Sequence, residues 1–246
     1  MSSVVNVVLV HGAWADGSCW SKEIPLLQAQ RFHVSAAQIP LTSLKEDIAV
    51  TKRLLALQKG PTVLVGHSYG GAVISGAAVD SPNVKALAYI AAFGLDEGES
   101  LDGLSKQGPA AAGASQVRPD DAGFLWINAD GFHQSFAADV EDTEAAVMAA
   151  VQKPLSIASF AAKSGPPAWK KLPSWYLVST NDQMIPPSAQ EFMAKRMGAT
   201  VRSVPASHAS IVSRPKEVTE VIALAAESIR EDHHTTSARS RNVEYV

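Results

Sequence analysis

Thr62-Val63-Leu64-Val65-Gly66-His67-Ser68-Tyr69-Gly70-Gly71 (residues 62–71) carries an apolar run into one serine set between glycines. Small residues, Ala72-Val73-Ile74-Ser75-Gly76-Ala77-Ala78-Val79, follow it. Read as strand, tight turn and helix, the stretch places G-x-S-x-G at 66–70 in the context where that pattern carries chemistry. A residue on such a turn is held in a sparsely populated backbone conformation that costs about 1–3 kcal/mol. Neighbours without side chains let the turn close and leave the Ser68 hydroxyl protruding above the strand ends. The helix that starts there aims unpaired N–H groups and its positive dipole end at the same point. Gly71, Ala72, Ser75, Gly76 and Ala77 keep that helix slim. The competing reading is a glycine-rich turn with an incidental serine.

Outward from this turn, short apolar runs alternate with segments of helical spacing, the pattern of a parallel sheet covered by helices. Strands are expected at 6–10, 33–39, 62–66, 84–92, 174–180 and 200–206, apolar on both faces as buried strands must be. Helices are expected between them. Ser43 and Glu46 have capping-box spacing ahead of a helix that closes on Gly60. A second ends on Gly198 with Lys195 and Arg196 in its last turn, and the last covers 214–230. The fold class expected is α/β, a mostly parallel doubly wound sheet flanked by helices. Between Gly94 and Trp169 no strand is evident, and a structureless loop of that length does not suit a compact domain. Helical fragments such as 140–152 point to an inserted helical cap. Residues 1–94 and 170–232 then form the core, 95–169 the cap, and 233–246 a polar C-terminal tail.

A serine hydroxyl is a poor nucleophile until a base takes its proton, and the base must itself be oriented. Such partners belong at later strand ends. Asn181-Asp182-Gln183 follows the strand at 174–180, and Ser207-His208-Ala209 follows the one at 200–206. The order Ser68, Asp182, His208 is the one this architecture uses. Alone, Asp182 could form an Asx turn and His208 could cap a carbonyl. Asp96 is a rival acid, and His11, His67, His133, His233 and His234 are the other histidines weighed as the base. Acyl transfer also needs two N–H donors for the oxyanion. The backbone amides of Tyr69 and Ala13 are the candidates, with Gly12 letting the first loop pass close to substrate. His11 is read as tying loops together rather than acting in catalysis.

The bulk properties remove other classes. The chain of 246 residues has a net charge of −3 and no Lys/Arg block, so neither nucleic acid nor an anionic membrane is an implied partner. Cys19 is the single cysteine, which excludes an intrachain disulfide and fits a reducing, cytoplasmic setting. The apolar opening breaks at His11-Gly12, short of a membrane span. No cofactor and no metal site is expected.

Together VLVHGAW, VGHSYGGAV, STNDQMIP and SHAS resemble the α/β-hydrolase superfamily over about residues 4–230. HGAWADGSCW followed by IPLLQAQRFHVSAAQIPL resembles its compact branch of plant methyl esterases, hydroxynitrile lyases and bacterial esterases. That resemblance implies Ser68 as nucleophile, His208 as base, Asp182 as acid, Ala13 and Tyr69 as oxyanion donors, and a small helical cap. Lyases of the branch typically carry threonine where this chain has Gly12 and lysine where it has Ala209.

The function expected is a serine carboxylesterase acting on small to medium, neutral, apolar acyl or aryl esters. Cofactor-free lyase, perhydrolase or oxygenase chemistry on the same triad, or ligand binding alone, are the other readings. Trp14, Leu125, Trp126, Phe132 and Phe136 are the expected pocket residues. The partner is a small-molecule ester, and a homodimer reached through the polar tail stays open.

Overall fold

Six apolar runs become strands, and the segments between them become the helices that return the chain to one end of the sheet. The computed structural model describes residues 4–241, with side-chain surroundings through Arg230. In chain order the first elements are β1 (Asn6–Val10), α1 (Glu23–Ala29), β2 (His33–Ala37), α2 (Leu44–Ala56), β3 (Thr62–His67), α3 (Gly70–Ala77) and β4 (Val84–Ile90). Then come α4 (Leu101–Ser105), β5 (Val117–Pro119), β6 (Phe124–Ile127), α5 (Ala129–Phe136), α6 (Asp142–Ala150), β7 (Leu155–Ser156) and α7 (Ile157–Ala161). The chain closes with β8 (Ser174–Ser179), α8 (Pro187–Arg196), β9 (Thr200–Val204), α9 (Ser210–Ser213) and α10 (Pro215–Arg241).

The main sheet has six strands in the order β2-β1-β3-β4-β8-β9, each pair parallel. Helical crossovers cover both faces, so β1 and β3 are buried along their whole length. The two edge strands differ from the expectation of burial on both faces. In β2 only Ala37 is buried and in β9 only Val204, because each has a single neighbour. The chain runs outward from β1 to β2 and then returns to β3. The carboxyl ends of β1 and β3 therefore flank the point where strand order reverses, and a crevice opens there.

Ser43 caps α2 as its spacing predicts, its hydroxyl accepting from the Glu46 N–H at 3.1 Å. Between 94 and 169 the helices are present, but so is a three-stranded antiparallel sheet, β5-β6-β7, that the sequence did not announce. Its strands are two to four residues long, too short for a period of two to register. Asp120 shapes the β5–β6 turn by accepting from the amides of Ala122 and Phe124, with Gly123 at φ +83°.

At the other end, α10 continues through Arg241, into the stretch expected to be a polar tail. Val218, Val221, Ile222, Ala225, Ala226 and Ile229 bury one face of this helix. Once docked, a helix extends by one hydrogen bond per residue without needing further apolar contacts. The rest of the expected tail, 242–246, lies outside the described residues, as do residues 1–3. Among the described residues no helix is long and apolar enough to cross a membrane.

Candidate active site

Ser68 stands one residue beyond β3. Its amide donates to the Ile90 carbonyl at 3.2 Å, its carbonyl accepts from Gly71 and Phe93, and its φ is +53°. That left-handed conformation is uncommon for a residue with a side chain. The turn closes because residues 66 and 70 are both glycine. A Cβ on Gly66 would stand 2.6 Å from the carbonyl carbon and oxygen of Gly70.

Two loops from distant parts of the chain converge on the serine. His208 Nε2 lies 2.8 Å from Ser68 Oγ, and His208 Nδ1 lies 2.7 Å from Asp182 Oδ2. The imidazole and the carboxylate are both shut off from solvent. Asp182 sits just beyond β8 and its carboxylate is fully engaged. Oδ1 accepts from the amides of Met184 and Ile185, while Oδ2 also accepts from Gln190 Nε2 at 2.8 Å. With Oδ2 accepting, His208 carries its proton on Nδ1 and presents Nε2 as the acceptor facing the hydroxyl. The arrangement can take a proton from Ser68 and hold the imidazolium that results.

Gln190, on α8, was not legible as a site residue. Its Oε1 accepts from the Ser179 amide and its Nε2 also donates to the Ile185 carbonyl, so it braces the Asp182 loop from both sides. A glutamine inside a polar helix gives no signal of this in sequence.

The rival groups are occupied elsewhere. Asp96 pairs with Lys170 at 2.5 Å. His11 donates from Nδ1 to the Gly12 carbonyl and accepts the Ile39 amide at Nε2, and burial holds its pKa down at about 4. It is a neutral link between loops, as expected. His133 bonds the Val140 carbonyl. The side chains of His233 and His234 lie outside the described residues. His67 is buried directly behind the base. Burial, with the neighbouring His208 adding to it, pushes its pKa down to about 3.

Ala13 and Tyr69 line the same cavity as Ser68 and His208. Neither backbone N–H donates to a protein acceptor among the described residues, whereas the next amide along the first loop, Trp14, donates to Lys153 O at 2.9 Å. Two free amides on residues that line one cavity with a serine hydroxyl suit a developing oxyanion. Gly12 fits tightly here. A Cβ at that position would lie 2.7 Å from Ser68 Cβ, so a threonine would force the turn to shift.

The cavity measures about 460 Å³, within the range of small-molecule sites. Of the five side chains expected to line it, Trp14 and Leu125 do and three do not. Strand alternation explains Trp126. On β6, Leu125 points to the cavity and its neighbour points away, 38% exposed, its indole N–H donating to Asp120 Oδ2. Phe132 and Phe136 lie on the inward face of α5 and are fully buried. Phe136 packs edge-on against the His208 ring, centroids 4.9 Å apart, and Phe132 packs on Phe136. They support the His208 ring from behind. Leu101, Ala111, Ala114, Phe160, Met184 and Ile185 line the cavity instead, from segments whose sequence carries no aromatic cluster. Among the described residues no Asp, Glu, Lys or Arg side chain lines it. Among the described residues no group of His, Cys, Asp and Glu could hold a metal ion.

Comparison with known proteins agrees with the fold. A model of the alpha/beta hydrolase family matches residues 7–221. A pyrethroid hydrolase of Sphingobium wenxiniae is 26% identical across 96% of this chain and 92% of its own length. A carbendazim hydrolyzing esterase of Nocardioides is 34% identical over 116 residues, 41% of this chain and 47% of that protein. The crystal structure of a pyrethroid hydrolase from Sphingobium faniae superposes with a TM-score of 0.81 at 25% identity, covering 93% of this chain and all of that one.

Proposed function

This chain belongs to the α/β-hydrolase family, and from the geometry around Ser68 we propose that it hydrolyses carboxylic esters through an acyl-enzyme. The observation that carries the reading is the unbroken hydrogen-bonded succession Ser68–His208–Asp182 opening on an apolar cavity. Ser68 Oγ attacks the ester carbonyl as His208 Nε2 takes its proton, and the carbonyl π pair moves onto oxygen. The Ala13 and Tyr69 N–H groups stabilise that charge, each worth roughly a hundredfold or more in rate. Collapse expels the alcohol, protonated by His208. A water molecule, deprotonated by the same nitrogen, then releases the acid and frees Ser68. Asp182 keeps the Nδ1–H tautomer and stabilises the imidazolium without itself taking the proton.

The lining supports a substrate class. A cavity of this volume without an ionic anchor accommodates small to medium neutral esters with apolar acyl or aryl groups. Residues 95–169 act as the cap that shapes it. Gly12 and Ala209 stand against the lyase alternative, since residue 12 has no room for a side chain and residue 209 offers no ammonium group. Incubation of the purified protein with a fluorophosphonate probe is expected to label one site per chain. Ser68→Ala is expected to lose both that labelling and turnover of a short p-nitrophenyl ester. Labelling that survives the substitution would contradict the proposal.

A further inference from the structure

The Tyr69 hydroxyl is turned toward α2, where it donates to Asp47 Oδ2 at 2.5 Å. Both residues are buried, Asp47 completely. The other carboxylate oxygen, Oδ1, accepts the Leu41 amide at 2.8 Å. Leu41 is itself held in the left-handed region, φ +64°, and its carbonyl accepts the Ser156 amide from the cap strand β7. A single buried carboxyl group thus ties together the residue after the nucleophile, the loop after β2 and the cap.

Stability alone does not account for this placement. A carboxylate taken out of water is costly unless its oxygens are satisfied, and apolar residues of similar volume often serve a core as well or better. Here both oxygens are satisfied, and one of the two donors belongs to Tyr69, which follows Ser68, lines the cavity and has a backbone N–H with no protein acceptor among the described residues. A tyrosine side chain turns about only two torsions. Fixing its distal oxygen therefore restrains the Cα and the amide at the other end of the side chain.

We propose that Asp47 is a positioning residue for the oxyanion hole. By clamping the Tyr69 hydroxyl it holds the Tyr69 N–H on the point where negative charge develops, and through Leu41 and Ser156 it links that donor to the cap. This rests on the reading of Ser68 as the nucleophile. Asp47 touches no substrate; it acts through Tyr69.

Asp47→Ala, Tyr69→Phe and the double variant test it, each checked for folded fraction by urea titration. Asp47→Ala leaves both the Leu41 amide and the Tyr69 hydroxyl without their acceptor, and Tyr69→Phe removes the clamped hydroxyl while leaving the backbone intact. The expected result is a kcat for a short p-nitrophenyl ester lowered about tenfold or more in each single variant. KM should stay within about threefold, and fluorophosphonate labelling should slow in step with kcat. The double variant should be no slower than the slower single variant, because both substitutions break one bond. Unchanged kcat in folded single variants, losses that multiply in the double variant, or losses no greater than the loss of folded protein would each overturn the inference. Should Asp47→Ala fail to fold, Tyr69→Phe decides alone. Ser68→Ala run in parallel separates the two claims. Turnover that persists there removes the nucleophile and this inference with it, whereas an inactive Ser68→Ala beside an unimpaired Tyr69→Phe removes the inference only.

Discussion

Nε2 of His67 donates to the main-chain carbonyl of His208 across 2.8 Å, with the two rings 4.9 Å apart. The residue just before the proposed nucleophile therefore holds the loop that carries the proposed base. Both loops are bonded to one another through main chain as well as through the Ser68–His208 contact.

His67 should accordingly affect both stability and turnover. His67→Phe leaves the His208 carbonyl buried without its donor, a cost of about 1–3 kcal/mol. A urea titration should show that loss, with kcat falling more than KM changes. The acid limb follows from the same residue. Its folded pKa of about 3 lies below the ordinary histidine value of 6.5, so between those values the unfolded chain binds the extra proton. The stability that His67 contributes should therefore be complete above pH 6.5 and decline as pH falls toward 3, by up to about 1.4 kcal/mol per pH unit. His11, at about 4, adds a similar slope over a narrower window. Wild-type and His67→Phe stabilities that run parallel from pH 7 to 4.5 would contradict the His67 assignment.

Glu23 should produce the opposite slope. It is fully buried in α1, neither carboxyl oxygen has a hydrogen-bond partner among the described residues, and burial pushes its pKa up to about 8. The folded protein keeps a proton that the unfolded chain gives up above 4.5. This contribution to stability is present in full below pH 4.5 and is lost as pH rises through 8. Glu23→Gln, which has no charge to develop, should lie closer to the wild type at pH 5 and exceed its stability at pH 8 by a few kcal/mol, on the order of one pKa unit per 1.4 kcal/mol. Parallel wild-type and variant curves across that interval would show that Glu23 is ionised in the fold.

Ala111 tests which walls set the chain length accepted. It lines the cavity with Ala110 and Ala114, so a larger side chain there takes volume directly from the substrate. Ala111→Leu should raise the ratio of acetate to octanoate ester turnover, measured as kcat/KM, by about tenfold, the scale of discrimination that a hydrophobic pocket exerts over a methylene or two. A ratio equal to that of the wild type would place the acyl chain on another wall.

Much of the arrangement was legible before any coordinates. All six main-sheet strands fall where the apolar runs put them, within two residues at most ends. A parallel sheet needs strands that are apolar on both sides and crossovers long enough to be helices, and those patterns are local. The cap was less legible, since two- to four-residue strands depend on partners far along the chain: Leu125 pairs with Leu155. The pocket wall was misread for the same reason. FLWINADGFHQSF is rich in aromatics, but facing is decided by strand parity for Leu125 and Trp126 and by docking of one helix face for Phe132 and Phe136.

Residue type and order alone marked Ser68, Asp182 and His208, because a strained glycine-flanked turn and two polar residues at strand ends are features of the local chain. Whether those three touch, which oxygen of Asp182 faces the ring, and that Gln190 and Asp47 brace the site were decided only by packing. Hydrogen bonds of 2.5–2.8 Å between residues 8 to 140 positions apart depend on how layers stack, and nothing in a linear pattern encodes that distance.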